Sequence, residues 1–203
     1  MVLTDNEIRI LCNEDNPKPL ITPFSEELLQ SESYDVTIGD KICVLDKTLR
    51  NIDIRDKEAT ECMYSESSLS DQGYTMFPGE YILVQIKETV NLTDRLTAHI
   101  RPKTRFTRLG LLVSDQHCNS TYTGQLFIGL RNVTNASITI YPGVSIAQIV
   151  FEELASVPSE EKQYCKKKRA TYQNEKEFRG YVVPPELQSK VDEAIKLMFK
   201  DAK

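Results

Sequence analysis

The residues best suited to chemistry lie in the stretch RPKTRFTRLG, where Arg101, Lys103, Arg105 and Arg108 fall close together with no carboxylate among them. The chain as a whole carries a formal net charge of -5 at pH 7, so these cations stand against an acidic background. If the stretch is extended, alternate side chains share a face, which puts Arg101, Lys103 and Arg105 in one row. Such a row can hold an anion, form a solvated basic patch, or pair with carboxylates elsewhere in the chain. A second basic run, Lys166 to Arg169, offers four more cations. Metal chemistry finds less support. With two histidines, His99 and His117, and five scattered cysteines without a C-x-x-C pair, no zinc site is expected. His99, in the alternating run LTAHIRP, reads as a strand residue with a structural role.

The elements that must position these groups are mostly strands. At 203 residues, 40% hydrophobic and 27% charged, the chain has the composition of an ordinary folded protein with one main domain. No apolar run reaches the roughly 18 to 20 residues of a membrane span, and the opening MVLTDNEIRILCNED lacks the order of a signal peptide, so a cytoplasmic location is expected. Thr4 and Glu7 make a capping box ahead of a short helix, and ITPFSEELLQ accommodates one helical turn. SYDVTIGDKICVL, with its Gly39-Asp40 pair, reads as a hairpin. Residues 46 to 75 are too poor in apolar groups for a core and read as a surface excursion.

PGEYILVQI, LTAHIRP, LGLLVS, GQLFIGLRN, ASITIYPG and VSIAQIVFEEL then follow as short strands, the pattern of a barrel or sandwich. After the tail EEKQYCKKKRATYQNEKEFRG, Leu187, Val191, Ile195 and Met198 recur at helical spacing behind a proline pair. The expected organisation is a β domain over residues 1–160 and, over 161–203, a basic segment and amphipathic helix that close over it or pack on it. A pI near 5.2 argues against nucleic acid as a partner.

Several segments together resemble the dCTP deaminase and dUTPase superfamily: LTDNEI with LLQSESYDVTIGD, MFPGEYILVQIKETVNLTDRLTAHIRPKTRFTRLGLLVS, STYTGQLFIGLRN, IYPGVSIAQIVFEEL and TYQNE. The resemblance spans most of residues 3 to 175. It implies a distorted jelly-roll-like β-barrel, a homotrimer with sites between subunits, and a deoxynucleoside triphosphate bound together with Mg²⁺.

Under that resemblance the family's Arg-Ser-Ser-x-x-Arg loop falls on Lys103, Thr104, Arg105 and Arg108. A triphosphate carries about four negative charges, and charge-assisted hydrogen bonds to it are worth roughly 1.5 to 3 kcal/mol each. Tyr122 stands where an aromatic ring packs under deoxyribose. Gln125, Gln148, Tyr164 and Tyr172 also match nucleotide-contacting positions, while Thr171 and Glu175 depart from the family's Lys and Gln. The carboxylates are missing. Asn119 replaces the aspartate that orients water in dUTPases, and Gly129 replaces the glutamate that moves protons in dCTP deaminases; loss of such a group typically costs about 10² to 10⁴ in rate. Asp115 is the one nearby substitute. The resemblance therefore implies either a deoxynucleotide enzyme with low or absent dCTP deaminase and dUTPase rates, or a nucleotide-binding sensor. A relative with repurposed nucleotide chemistry also fits, in pool balancing or in a phage-defence response.

Overall fold

The computed structural model describes residues 1–13, 15–190 and 192. The capping box forms as expected. Glu7 accepts hydrogen bonds from the Thr4 N–H at 2.7 Å and the Thr4 hydroxyl at 3.0 Å, which lowers its pKa and starts helix α1, Asp5–Leu11. Ile8, on its inner face, is fully buried. The single turn expected in ITPFSEELLQ is the 3₁₀ helix Glu26–Leu28. The chain divides into two compact units, one of Met1–Val44 with Glu66–Phe178 and one of Leu45–Ser65 with Arg179–Lys203.

The first unit is mainly β. It contains β1 (Ile21–Thr22) and most of β2 (Tyr34–Leu45), and β3 (Tyr64–Ser68) brings the chain back into it. Then come β4 (Tyr74–Met76), β5 (Tyr81–Ile86), β6 (Thr89–Asn91) and β7 (Leu96–Pro102). After a helix follow β8 (Leu111–Val113), β9 (Gln116–Cys118), β10 (Thr123–Gly124), β11 (Phe127–Asn132), β12 (Ile138–Ile140) and β13 (Ser145–Glu153). The largest sheet runs β8-β11-β5-β2-β13-β7-β9, all neighbours antiparallel. A smaller sheet orders β1-β6-β10, and β12 pairs with β4. Val36, Ile38, Ile82, Val84, Ile100, Ile128, Ile149 and Phe151 alternate inward and form the centre of the core.

Two local expectations change. SYDVTIGDKICVL is one long strand, not a hairpin. Ile38 pairs with Ile86 and Ile42 with Val84, so β2 carries extra residues where Gly39 and Asp40 bulge out. A Cβ on Gly39 would lie 3.0 Å from the Gln85 carbonyl oxygen, which explains a glycine there without any turn. The stretch RPKTRFTRLG is not extended either. Strand β7 ends at Pro102 and helix α3 covers Thr104–Leu109, closed by Gly110 in the left-handed region at φ 83°. Arg101, Lys103 and Arg105 therefore do not form one row.

The second unit holds helix α2, Lys57–Glu61. There Asp46 accepts from the N–H and hydroxyl of Thr48, both at 2.8 Å, and Asp53 pairs with Arg55 at 2.6 Å. Thr60 is buried in the second unit and Leu69 in the first, so the polar stretch 46–75 is not wholly a surface excursion. Residues 185–190 are helical, including Leu187. Val191, Ile195 and Met198, the rest of the expected amphipathic stripe, lie outside the described residues.

One buried acid offers a test of the fold. Glu88, 1% exposed, accepts hydrogen bonds from the Thr37 N–H at 2.9 Å and the Thr37 hydroxyl at 2.7 Å. Burial nonetheless raises its pKa above the ordinary 4.5. A carboxyl with a raised folded pKa holds its proton more tightly in the folded than in the unfolded chain. Its contribution to stability is therefore fullest below about pH 4.5 and declines as pH climbs through the raised value. Glu88→Gln, whose oxygen accepts the Thr37 N–H while its NH₂ donates to the Thr37 hydroxyl, is expected to flatten that decline and to match or exceed the parent by about 1 kcal/mol at pH 7. Urea unfolding between pH 4.5 and 8 measures this, and equal slopes in the two proteins would assign the decline to other groups.

Candidate functional site

Sequence-selected residues gather in two clusters on the first unit. The basic cluster is organised by Asp35 on β2. Lys103, at the N-cap of α3, bonds its ammonium to Asp35 Oδ2 and to Ser145 Oγ at 3.2 Å. The Asp35 side chain is 7% exposed and that of Lys103 19%. The partner that the sequence did not supply is therefore a carboxylate from a distant strand. Asp35 Oδ1 is buried and has no hydrogen-bond partner among the described residues. Gln148 on β13 lies opposite Asp35 on one side and Arg101 on the other, at the middle of this cluster.

The remaining cations are held differently. Arg101 pairs with Asp115 at 3.1 Å, both side chains being about half exposed. Such a surface pair contributes little to stability, and it turns Asp115 toward Arg101. Arg105 reaches across to donate to the Ser145 carbonyl at 2.6 Å. Thr104 and Arg108 are exposed on the short helix. Intramolecular pairing accounts for Arg101, Lys103 and Arg105, and Arg108 is exposed.

The second cluster surrounds Tyr122. This ring is 4% exposed and lies 6.0 Å, centroid to centroid, from that of Tyr164. Asn119 is exposed, and its carbonyl accepts the Tyr122 N–H at 3.2 Å, which closes the loop between β9 and β10. Residues 164–175 clasp this loop. The Tyr164 hydroxyl accepts the Tyr172 N–H at 3.2 Å, and Gln173 bonds both ways, donating to the Thr121 carbonyl at 3.1 Å and accepting the Thr123 N–H at 3.3 Å.

Glu175 bridges Gly124 in parallel, and its carbonyl accepts the Gln125 N–H at 2.9 Å. The Gln125 side chain turns away, to the Lys87 carbonyl at 3.0 Å. Thr121 adopts φ 67°, a left-handed conformation uncommon for a β-branched residue, and its hydroxyl accepts the Cys165 N–H at 3.0 Å. Lys166 pairs with Glu160 at 3.3 Å, and Lys167 to Arg169 are exposed.

Position 129 is closed by a neighbour. Gly129 is buried on β11, and a Cβ built there would collide with the Tyr81 hydroxyl and lie 2.8 and 2.9 Å from two ring carbons of Tyr81. Its backbone is fully engaged with Ser114, donating to the hydroxyl at 2.9 Å and accepting the N–H at 2.8 Å. Beside it, the Phe127 carbonyl accepts from Gln116 Nε2 at 2.7 Å. On β7, His99 lies opposite His117 of β9, with His117 Nδ1 3.0 Å from His99 Nε2 and Glu152 Oε1 3.3 Å from His99 Nδ1. His99 is thus a strand residue, as expected.

Sequence reasoning missed Asp35, Ser145, Tyr81 and Ser114. None left a local signal, for even Asp35 falls in the polar register of an alternating strand. Among the described residues, no group of three or more His, Cys, Asp and Glu side chains could hold a metal ion. No helix among them is long and apolar enough to cross a membrane.

Residues 2–154 match the family model described as dCTP deaminase-like. The dUMP-forming dCTP deaminase of Nanoarchaeum equitans (strain Kin4-M) is 28% identical over 191 residues, covering 84% of this chain and 96% of that protein. The dUMP-forming dCTP deaminase of Mycobacterium sp. (strain KMS) is 29% identical over 178 residues, covering 87% and 92%. In structure, the 2′-deoxycytidine 5′-triphosphate deaminase of Agrobacterium tumefaciens gives a TM-score of 0.59 at 22% identity over 79% of this chain. The match takes in 50% of that longer chain, and at this identity the likeness is one of fold. It is the mainly β fold expected from the sequence.

Breaking the Lys103 pair separates structural from binding cations. Lys103→Ala leaves the Asp35 carboxylate buried and unpaired, and is expected to destabilise by about 3 kcal/mol. Arg108→Ala, on an exposed helix face, should stay within about 0.5 kcal/mol of the parent. Urea midpoints at constant m decide between them; equal small losses would mean that water reaches Asp35.

Proposed function

The chain belongs to the dCTP deaminase-like family, and from that premise we propose that it binds a deoxynucleoside triphosphate in deoxynucleotide metabolism while lacking the usual means of activating water. The observation that carries this reading is the filled space at Gly129, where the Tyr81 ring leaves no room for a side chain. The relatives named above are dCTP deaminases, and in the family the matching position bears the proton-moving glutamate. Asn119 compounds the loss, since an amide can hydrogen-bond a sugar hydroxyl but cannot act as a general base. Asp115 is turned toward Arg101, which argues against its recruitment.

The phosphate half of the site fares better. Thr104 and Arg108 are exposed, and Arg105 needs only to exchange a carbonyl for a phosphate oxygen. Lys103 serves chiefly to anchor the start of α3 on Asp35. Tyr122, Asn119 and Gln125 belong to the other cluster, under residues 164–175. A homotrimer that sets the basic cluster of one copy against the Tyr122 cluster of the next would complete the site, with Gln148, Tyr164 and Tyr172 at its margins. Among the described residues no group of three or more His, Cys, Asp and Glu side chains fits a protein-held metal, so magnesium would arrive on the triphosphate, held by phosphate oxygens and water.

Calorimetric titration tests the phosphate assignment. Arg108→Ala is expected to weaken dCTP and dUTP binding about 10- to 100-fold, the worth of one charge-assisted hydrogen bond, and to leave deoxycytidine binding unchanged. Equal losses for nucleoside and triphosphate would remove Arg108 from the phosphate site. A thermal-shift series with each dNTP and magnesium supplies the broader check, because a ligand bound only by the native state raises the melting temperature. No shift at saturating nucleotide would refute the binding assignment itself.

A further inference from the structure

We propose that the Tyr81 hydroxyl is the group that reads the nucleobase, accepting cytosine and uracil alike, so that the base is held by a neutral hydroxyl in place of a carboxylate. This rests on the reading of the chain as a deoxynucleotide binder, and it sets the base beside Gly129 of β11. Four observations point to it. Gly129 has no left-handed φ that would demand glycine, so the residue type follows from space: the Tyr81 ring covers its Cα. Tyr81 itself is half-buried, and its hydroxyl has no hydrogen-bond partner among the described residues. A phenol in that setting retains both a donor and an acceptor for a ligand.

The third observation concerns the β11 backbone beneath it. The Gly129 N–H and C=O and the Phe127 C=O are already satisfied by Ser114 and Gln116, so they offer little to an incoming base. The Tyr81 and Ser114 hydroxyls flank Gly129, and that of Ser114 already accepts the Gly129 N–H. Fourth, burial raises the Tyr81 pKa above 10, so the hydroxyl stays protonated at physiological pH. A neutral hydroxyl donates to a ring carbonyl and accepts from an exocyclic amine with equal ease, as serine and threonine do toward nucleobases. The site should therefore separate dCTP from dUTP poorly, and Tyr81 cannot take a proton from water.

Tyr81→Phe removes the hydroxyl and keeps the ring. In calorimetric titrations of the full chain with dCTP, dUTP and inorganic tripolyphosphate, the variant is expected to lose about 3- to 10-fold in affinity for both nucleotides and nothing for tripolyphosphate. Unchanged nucleotide affinity in Tyr81→Phe, with the parent binding all three ligands, would overturn the role of Tyr81 and leave nucleotide binding intact. Parallel loss for tripolyphosphate would also overturn it, by showing a general disturbance. A loss confined to one nucleotide would contradict the shared reading of both bases. A parent that binds none of the three refutes nucleotide binding and the Tyr81 role together. Gly129→Ala supplies the second variant: its methyl displaces the Tyr81 ring, and a folded variant should lose both nucleotides but retain tripolyphosphate. Retained nucleotide binding in that variant would count against the proposal.

Discussion

A carboxylate taken out of water must find a cation, and Asp35 is such a carboxylate. It lies on β2 in the middle of the largest sheet, beside Gln148 of β13, and its nearest cation is the Lys103 ammonium. That pair fixes where β7 gives way to α3. With Lys103 drawn inward and Gly110 closing the helix, Arg105 is brought over the Ser145 carbonyl and Arg108 is turned outward. Desolvating two charges is worthwhile only when both remain paired, so the arrangement resists sliding or refolding of the basic stretch. The four cations that look equivalent in the sequence thereby acquire different work.

The same division of labour explains why the site is lopsided. On the proposed reading, groups able to meet phosphate oxygens survive on α3, whereas Asn119 and Gly129 stand where the family's water-activating carboxylates would be. Tyr81 and Gly129 act as a complementary pair, a large residue on β5 filling what a small one on β11 leaves open. The phenol brings hydrogen-bonding capacity without basicity. Around Tyr122, residues 164–175 hold the loop through a series of backbone and amide hydrogen bonds, with Thr121 kept in a left-handed conformation by the segment that crosses it.

How much of this can be read from the chain depends on how far apart the deciding residues lie. The Thr4–Glu7 capping box is local and was legible, as were the strands whose apolar residues alternate. Gly39-Asp40 was not: the same dipeptide suits a turn or a bulge, and only the register against β5 decides. The basic stretch suggested an extended row because alternation is the simplest arrangement of Arg101, Lys103 and Arg105. The helix is set instead by the Lys103–Asp35 pair at its start and by Gly110 capping the far side. That Asn119 and Gly129 stand where the resemblance puts the family's carboxylates could be read from the motifs alone. That Tyr81 fills the gap could not, since nothing near residue 129 in sequence announces it, and the partner of Lys103 was hidden in the same way.

On the proposed reading, the chain keeps the means of holding a deoxynucleoside triphosphate and has lost the means of activating water against it. A single-turnover experiment addresses this directly, with protein in excess over labelled dCTP or dUTP in the presence of magnesium and the products resolved by chromatography. Nucleotide that is bound yet recovered unchanged, or converted at least about 100-fold more slowly than by a dCTP deaminase relative assayed alongside, is the predicted result. Conversion of either nucleotide at the rate of that relative would contradict the claim.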